Sequence, residues 1–419
     1  MKEFEKIIGY QSIKKELETL VDIMTNSEKY QRLGVKLPRG ILLYGDPGVG
    51  KTLMANCLIN ASGRTVITLR KDKPDGDFVK AIQDSFEKAK ECVPCIVFLD
   101  DVDKFSSTAR RNSNEEEFVT IQTCIDDTRE YDIFVVATAN DIDVLPDSLT
   151  REGRLGRKIH VRNPQGNDAV KIIEYYLSQK KFMGDVNASD IAKMLNGDSC
   201  ADLESIINEA GIYAGIQGKT TIDISDILRG IMRIKFSAPE SDDELPESVL
   251  KSTAYHEAGH AVVAEILEPG SVGLVSVLAH EGNVKGVTNF YQDDSYWDDK
   301  CHMETRVISV LGGKAATEIV FGKVDVGANS DLHRAFDIVE RFVDDYCSVS
   351  FDSFERYNCS DGLKSRKDVR TTYELERFYA QAKRIIIENR AFLDAVAQAL
   401  VEKKTLVSSD IQKIKESVA

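Results

Sequence analysis

A glycine-rich octapeptide between an apolar run and a helical pattern constrains the fold more than any other feature. Residues Gly45 to Thr52 read G-D-P-G-V-G-K-T and match the pattern G-x-x-x-x-G-K-[ST] in full. They follow the apolar run Ile41–Tyr44 and precede a helical stretch that begins at Leu53. Such a loop joins a buried strand to a helix whose N-terminus faces phosphate groups. We therefore expect an α/β domain with a parallel sheet.

The same loop predicts a nucleotide site. Backbone N–H groups would surround the phosphates, Lys51 would reach the β- and γ-phosphates, and Thr52 would bind Mg²⁺. A glycine-rich turn without a ligand is the alternative interpretation. The expected nucleotide-binding residues of the loop are Gly45, Asp46, Pro47, Gly48, Val49, Gly50, Lys51 and Thr52.

Three further apolar runs are expected to complete the sheet, namely Thr65–Leu69, Cys95–Leu99 and Ile133–Thr138. Each is bounded by loop residues and helical patterns, which is typical of a parallel sheet covered by helices. Asp100 follows the second run and is expected to hold Mg²⁺. Asn140 follows the third, where its amide would orient the attacking water or contact the γ-phosphate.

Three arginines lie within seven residues, at Arg151, Arg154 and Arg157. Arginine neutralises the charge that develops on a transferring phosphoryl group. Taken alone, such a cluster is also typical of a solvated surface.

A second motif, His256-Glu257-Ala258-Gly259-His260, has the spacing H-E-x-x-H. Positions i and i+4 share one face of a helix, so both imidazoles can reach one metal ion. Glu257 lies beside them, where it can accept a proton from water activated by the metal. A structural helix with this spacing by chance is the alternative.

Two histidines leave a catalytic zinc ion short of a third protein ligand. Spacing along the chain cannot identify that ligand, because the fold brings it into place. On chemistry alone His280, His302 and His333 are candidates, although lone histidines are more often surface residues.

Bulk composition limits the classes of partner. The 419 residues carry a formal net charge of −15, which argues against nucleic acid or anionic lipid as the main partner. No apolar run approaches the roughly 18 residues of a membrane helix, and the N-terminus has no signal-peptide pattern. The eight scattered cysteines fit free thiols in a reducing cytosol, so we expect a soluble cytoplasmic protein.

Composition also suggests domain boundaries. The pattern is helical from about Gly166 to Ile234, and the acidic, proline-containing segment after it reads as a linker. A helical region with a strand-like stretch over 272–291 follows. We expect a nucleotide-binding domain over 1–165, a helical domain over 166–236, a linker over 237–247 and a mainly α-helical metalloprotease domain with a small β element over 248–419.

Taken in order, the motifs carry a family resemblance that runs from about Phe4 to about Ile414. They are the segment Phe4–Gly9, the phosphate loop, Asp100-Asp101, Asn140, Arg154, Arg157 and the histidine motif. The first six occur in the order of an AAA+ ATPase. With the histidine motif downstream, the chain resembles the FtsH-type ATP-dependent zinc metalloproteases.

The resemblance implies further roles. Asp331 matches the aspartate that completes the zinc site, although it could also cap the helix that follows it. Asp101 would align the hydrolytic water, and Ile8, Gly9 and Ala201 would lie on the adenine side. Arginines matching Arg154 and Arg157 act on the neighbouring subunit's nucleotide, which implies a ring, usually a homohexamer. The implied cofactors are Zn²⁺, ATP and Mg²⁺, and the implied substrates are polypeptides. The resemblance also makes the helical region 166–236 the lid of the ATPase. The run Gly286–Phe290 resembles the family's edge strand beside the zinc, to which a substrate could add as an extra strand.

The sequence also departs from the family pattern. Family members usually begin with membrane-spanning helices, and none is evident here. Asp101 replaces a glutamate, which predicts slower ATP turnover. The segment 70–78 lacks the aromatic triplet that grips polypeptide, and Phe78 is more simply a core residue of the next helix. Thr317 replaces one of two adjacent acids, so a carboxylate supporting a zinc-bound histidine is expected to be missing.

Three functional hypotheses follow. The leading one is an ATP-dependent zinc metalloendopeptidase that degrades proteins. The second is a protein-remodelling or scaffold AAA+ ATPase with little or no proteolysis, favoured by the changes at Asp101 and in segment 70–78. The third, an ATP-independent peptidase, conflicts with the retained Lys51, Thr52 and Asn140.

Overall fold

The computed structural model describes most of the chain, in two compact units. The described residues are 2–71, 78–105, 116–181, 186–236, 246–278, 286–290, 300–323, 328–344, 346 and 361–418. The first unit comprises Met1–Gln179 and Gly197–Ser205, and the second comprises Lys180–Asn196 and Ile206–Ala419. The domain boundaries expected from the sequence remain predictions.

The first unit is a parallel five-stranded sheet with helices. Its strands are β1 (Gly40–Tyr44), β2 (Thr65–Leu69), β3 (Cys95–Leu99), β4 (Ile133–Ala139) and β5 (Arg157–His160), in the spatial order β2-β3-β4-β1-β5. Its helices are α1 (Gln11–Thr25), α2 (Ser27–Gln31), α3 (Lys51–Ser62), α4 (Phe78–Glu91), α5 (Glu116–Asp127) and α6 (Gly166–Ser178), with short 3₁₀ turns at Lys2–Lys6 and Val102–Phe105. The predicted parallel α/β fold is confirmed.

Burial explains this order. Every residue of β3 and β4 is buried, as expected for apolar strands covered on both faces. Because the strands are parallel, the residues that follow β1, β3 and β4 lie at the same edge of the sheet. That edge carries the glycine-rich loop, Asp100 and Asn140. The sequence did not reveal β5, because only Ile159 is buried in this edge strand.

The second unit is mainly helical. Its complete helices are α7 (Ala188–Met194), α9 (Ile224–Phe236), α10 (Glu247–Leu267), α11 (Lys300–Phe321), α12 (Asn329–Asp344), α13 (Asp361–Glu388), α14 (Arg390–Lys403) and α15 (Ser408–Val418), while α8 (Cys200–Ile216) begins in the first unit. Its antiparallel sheet has the order β7-β6-β8, with β6 at Val272–Ser276, β7 at Val287–Phe290 and β8 at Thr405–Val407. The predicted helical domain with a small β element is confirmed, although β8 was not foreseen.

Helices α10 and α11 approach closely because glycines face each other. A Cβ atom on Gly312 would lie 2.5 Å from the carbonyl oxygen of Gly259, so neither position accepts a side chain at this spacing. The contact brings the buried face of α10 against α11 in the core of this unit. Within the described ranges, every helix is too short or too polar to cross a lipid bilayer.

Candidate active sites

Three predicted metal ligands converge in the second unit. His256 and His260 lie one turn apart on α10, and Asp331 lies in the first turn of α12. Asp331 Oδ2 is 3.0 Å from His256 Nε2 and 3.3 Å from His260 Nε2, and the two Nε2 atoms are 3.1 Å apart. All the potential ligand atoms lie within 4.8 Å of one another. The fold therefore joins a local helical pair to a residue far along the chain.

The space beside these atoms is kept by a glycine. A Cβ atom on Gly313 would lie 2.5 Å from His260 Nε2 and 2.8 Å from His256 Nε2. Two imidazole nitrogens and one carboxylate oxygen are a donor set that catalytic zinc takes, with a fourth position left open. The residues present therefore fit a zinc ion.

The surroundings fix the orientation of His260. Its Nδ1 is 2.9 Å from the carbonyl oxygen of Ser309, which accepts a hydrogen from Nδ1 and leaves Nε2 directed at Asp331. Burial alone would lower the pKa of His260, but the hydrogen bond and charge of Asp331 outweigh it and raise the pKa to about 9. Burial likewise opposes the ionisation of Asp331, but its hydrogen bonds to the two histidines hold its pKa below the usual value. Without a metal ion, the raised pKa favours a His260 imidazolium paired with the Asp331 carboxylate.

The predicted general base lies beside this cluster. Glu257 follows His256 on α10 and is buried, with 6% of its surface exposed. Its Oε2 accepts a hydrogen bond of 2.6 Å from the hydroxyl group of Thr288 on β7. The family resemblance placed the run Gly286–Phe290 beside the zinc site, but it gave the Thr288 side chain no role, because only the folded structure shows which hydroxyl group reaches Glu257.

The alternative zinc ligands lie elsewhere or outside the described residues. His333 is exposed, and His302 faces Glu268, with 3.9 Å between Nδ1 and Oε1. His280 lies outside the described residues. Among the residues that the structure describes, His256, His260 and Asp331 form the one group of three or more potential ligands close enough to share an ion.

The glycine-rich loop takes a conformation that requires its glycines. Gly45, Gly48 and Gly50 have φ angles of 145°, 82° and 97°, which other residues rarely adopt. The Lys51 ammonium donates hydrogen bonds of 2.7 Å to the carbonyl oxygens of Gly45 and Asp46. Helix α3 begins at Lys51, so the loop ends at a helix N-terminus, as the motif predicts.

The two residues expected to hold magnesium lie together. The Thr52 hydroxyl is 3.2 Å from Asp100 Oδ1, and the Thr138 hydroxyl donates to the same oxygen at 2.8 Å. Thr138 also accepts the backbone N–H of Asp101 at 2.8 Å. Sequence reasoning did not single out Thr138. Its position at the end of a buried strand, two residues before Asn140, was the available signal.

Asp101 and Asn140 also meet, but Asp101 has a second partner. Asn140 Nδ2 is 3.4 Å from Asp101 Oδ1, while Lys104 Nζ is 2.7 Å from Asp101 Oδ2. Asp101 has a φ angle of 56°, in the left-handed region that few non-glycine residues occupy. The ion pair with Lys104 therefore fixes the Asp101 carboxylate, which is one methylene shorter than the family's glutamate. The backbone beneath it is strained.

The predicted arginines are engaged inside their own chain. Buried Arg154 donates at 2.6 Å to Asp126 Oδ2, at 2.7 Å to Gln122 Oε1 and at 2.6 Å to the carbonyl oxygen of Ser148. The hydrogen bond from Arg154 lowers the pKa of Asp126. Arg157 is more exposed and holds Glu16 at 2.9 Å.

Two contacts link the segments that carry the residues expected on the adenine side. The Ala201 N–H donates to the Gly48 carbonyl at 3.1 Å, which joins the start of α8 to the phosphate loop. Tyr10, which follows Ile8 and Gly9, lies 3.7 Å from Cys200 Sγ through its hydroxyl oxygen. No sequence pattern indicated this contact.

Two of the departures noted in the sequence have a structural context. Residues 72–77 lie outside the described residues, but Phe78 packs edge-on against Phe105, with ring centroids 4.9 Å apart. This contact agrees with Phe78 as a core residue. The Thr317 hydroxyl is buried and donates to the Gly313 carbonyl at 3.2 Å, so it supports the helix beside the histidines.

Comparisons with known proteins agree with both sites. The AAA family (ATPase family associated with various cellular activities) matches residues 41–163, and peptidase family M41 matches residues 245–414. The chain is 29% identical to ATP-dependent zinc metalloprotease FtsH 2 of Thermoanaerobacter sp. over 99% of its own length and 82% of that protein. It is 31% identical to ATP-dependent zinc metalloprotease FtsH of Cyanidium caldarium, over 99% of its own length and 72% of the relative. The chain is therefore a member of the FtsH family of ATP-dependent zinc metalloproteases.

Proposed function

We propose that this chain is one subunit of a ring-shaped, ATP-driven zinc endopeptidase that degrades protein substrates. The supporting observation is the convergence of His256, His260 and Asp331 next to the buried carboxylate of Glu257. A glycine-rich phosphate loop in the same chain supplies the second half of the activity.

In the peptidase reaction, His256, His260 and Asp331 would hold Zn²⁺. The bound ion supplies Lewis acidity that makes water more acidic and polarises the scissile carbonyl. Glu257 accepts the proton of the attacking water and passes it to the leaving amine. The carbonyl group of Ser309 keeps His260 in the tautomer that presents Nε2.

Substrate would bind along β7. In the described part of the sheet, β7 pairs with β6 on one side and is the terminal strand on the other. An extended peptide can add to such an edge through backbone hydrogen bonds, which gives weak dependence on its sequence.

In the nucleotide site, bound ATP and Mg²⁺ would replace hydrogen bonds that Lys51 and Thr52 make within the chain. Lys51 would leave the carbonyl groups of the loop for the phosphates, and Thr52 with Asp100 would hold Mg²⁺. Asp101 and Asn140 would place the attacking water, and Ile8, Gly9 and Ala201 would contact adenine.

We further propose a homohexameric ring in which Arg154 and Arg157 act on the neighbouring nucleotide. Arg157 is the better placed of the two, because its side chain is 33% exposed and, within the described part of the chain, its ion pair is with the similarly exposed Glu16. Arg154 would have to leave Asp126, so its action requires a rearrangement. The cytoplasmic location remains a prediction from the sequence.

A casein-degradation assay tests the proposal. Full-length protein is compared with ATP, without nucleotide and with a zinc chelator, alongside the variants Lys51→Ala and Glu257→Gln. Loss of degradation in both variants and with the chelator is expected. Degradation that survives Lys51→Ala would indicate an ATP-independent peptidase. ATP hydrolysis without zinc-dependent cutting would indicate a remodelling ATPase instead.

A further inference from the structure

The carboxylate of Glu257 is buried, so it needs a hydrogen-bond donor. A buried charge without such a partner is costly, and a flexible carboxylate is a poorly aligned base. Within the described part of the chain, the Thr288 hydroxyl supplies the one hydrogen bond that reaches this carboxylate. The Thr288 hydroxyl oxygen lies 2.6 Å from Glu257 Oε2, which is a short hydrogen bond.

The bond is selective for one oxygen. The Thr288 hydroxyl group has a single hydrogen to donate. Its oxygen lies 2.6 Å from Glu257 Oε2 and 3.3 Å from the backbone carbonyl oxygen of Glu257. The charged and closer oxygen is therefore the acceptor. The other oxygen, Oε1, faces Gly286, where a Cβ atom would lie 2.6 Å away. One oxygen is thus held, and the absence of a side chain at Gly286 leaves room for the other.

The strand that carries Thr288 is itself fixed in place. Thr288 pairs with Val275 in the ladder between β7 and β6. The side-chain amide of the next residue, Asn289, donates at 2.5 Å to the carbonyl oxygen of Met194, at the end of α7. Contacts from two elements therefore hold the strand that positions the hydroxyl group.

We infer that Thr288 is the positioning residue of the peptidase. Its hydroxyl group holds Oε2 of Glu257 so that Oε1 is oriented to accept the proton of the attacking water. The inference rests on the proposed peptidase activity. It gives β7 two tasks, because the strand that would accept the substrate also aligns the base.

The test compares Thr288→Val, which keeps the branched shape without the hydroxyl group, with Thr288→Ser, which keeps the hydroxyl group. The full chain is assayed with zinc and ATP on a fluorogenic peptide to separate kcat from KM. Zinc content is measured for every variant, and the affinity of the metal-free protein for the same peptide is measured by fluorescence anisotropy.

Thr288→Val is expected to lower kcat about 10- to 100-fold, the value of a hydrogen bond to a charged group. Its zinc content, KM and peptide affinity should stay unchanged, and Thr288→Ser should retain most of kcat. The inference is overturned if Thr288→Val matches the wild type, if Thr288→Ser is equally slow, or if KM and peptide affinity weaken together with kcat.

The variant Glu257→Gln separates this inference from the proposed function. If wild-type protein shows no zinc-dependent cleavage, or if Glu257→Gln cleaves normally, the proposed peptidase mechanism fails and the inference about Thr288 fails with it. If Glu257→Gln is inactive while Thr288→Val is fully active, the peptidase mechanism stands and only the inference is lost.

Discussion

The peptidase site and the nucleotide site differ in how far their groups are already in place. In the peptidase site, the ligand atoms of His256, His260 and Asp331 already converge, and Glu257 has its donor. In the nucleotide site, Lys51 is bound to its own loop and Arg154 to Asp126. The first site is assembled by the fold of one chain. In the second, Lys51 would have to exchange its contacts with the loop for ATP, and the proposed role of Arg154 would require it to leave Asp126.

The largest expected effect concerns the assembled site. Glu257→Gln keeps the size of the side chain and an oxygen that can accept from Thr288, but it removes the base. Peptide cleavage should fall about 10²- to 10⁴-fold, with ATP hydrolysis and zinc content unchanged. Steady-state kinetics with metal analysis checks this. A parallel fall in ATP hydrolysis would show that the two sites are not independent.

In metal-free protein, the stability contributed by the pairing of His260 with Asp331 should depend on pH. The raised pKa of His260 means that its pairing with Asp331 stabilises the fold fully below about pH 6.5 and that this is lost as pH rises through about 9. Because the pKa of Asp331 is lowered, its carboxylate stays ionised and contributes to stability at every pH above the usual titration range of an aspartate. The loss is on the order of 3 kcal/mol.

The effect is measured as the melting temperature at a series of pH values between about 6.5 and about 9, with and without a chelator. The melting temperature of the chelated protein should fall more steeply than that of the zinc-loaded protein, because a zinc ligand must be deprotonated and His260 bound to zinc would no longer titrate in this range. Equal slopes would contradict a His260 imidazolium paired with Asp331.

The arginines sharpen the comparison at the nucleotide site. Arg154→Ala removes the guanidinium group that donates hydrogen bonds to Asp126, Gln122 and the Ser148 carbonyl group. We therefore expect the free energy of unfolding to fall by about 1–3 kcal/mol. Arg157→Ala should cost about 1 kcal/mol or less, because its ion pair with Glu16 is partly exposed. Urea unfolding of both variants is the measurement. Similar stability with lost ATP hydrolysis in Arg154→Ala would assign this residue a role between subunits instead.

The smallest expected effect is at the shorter acid. Asp101→Glu should raise ATP turnover, by about tenfold or less, which corresponds to about 1.4 kcal/mol of barrier. The matched control is Asp100→Glu, which adds the same methylene group where Thr52 and Thr138 already fit the acid. It should lower turnover. If both variants hydrolyse ATP more slowly than wild type, Asp101 is already well placed.

Sequence reasoning succeeded where the chemistry is local. The spacing of His256 and His260 within one helix, and the loop between β1 and α3, specify their own geometry. Asp331 lies 75 residues from His256 in the chain and was reached only through the family resemblance. Such a contact depends on how α12 packs, which no short pattern encodes.

Other misses have the same physical cause. The roles of Thr288 and Thr138 became visible only once the fold had placed each hydroxyl group beside its carboxylate. The strand β5 escaped notice because a single buried residue, Ile159, gives no alternation to detect. The partner of Arg154, Asp126, lies on α5, and an arginine cluster gives no sign of which members are buried.

The crossing of α10 and α11 leaves no room for side chains at three glycines. A Cβ atom on Gly259 or Gly312 would lie within 2.5 Å of the facing carbonyl oxygen, and one on Gly313 would lie 2.5 Å from His260 Nε2. One boundary of the space beside the two imidazoles is therefore main chain. Alanine at Gly313 would have to displace an imidazole or the helix that carries it.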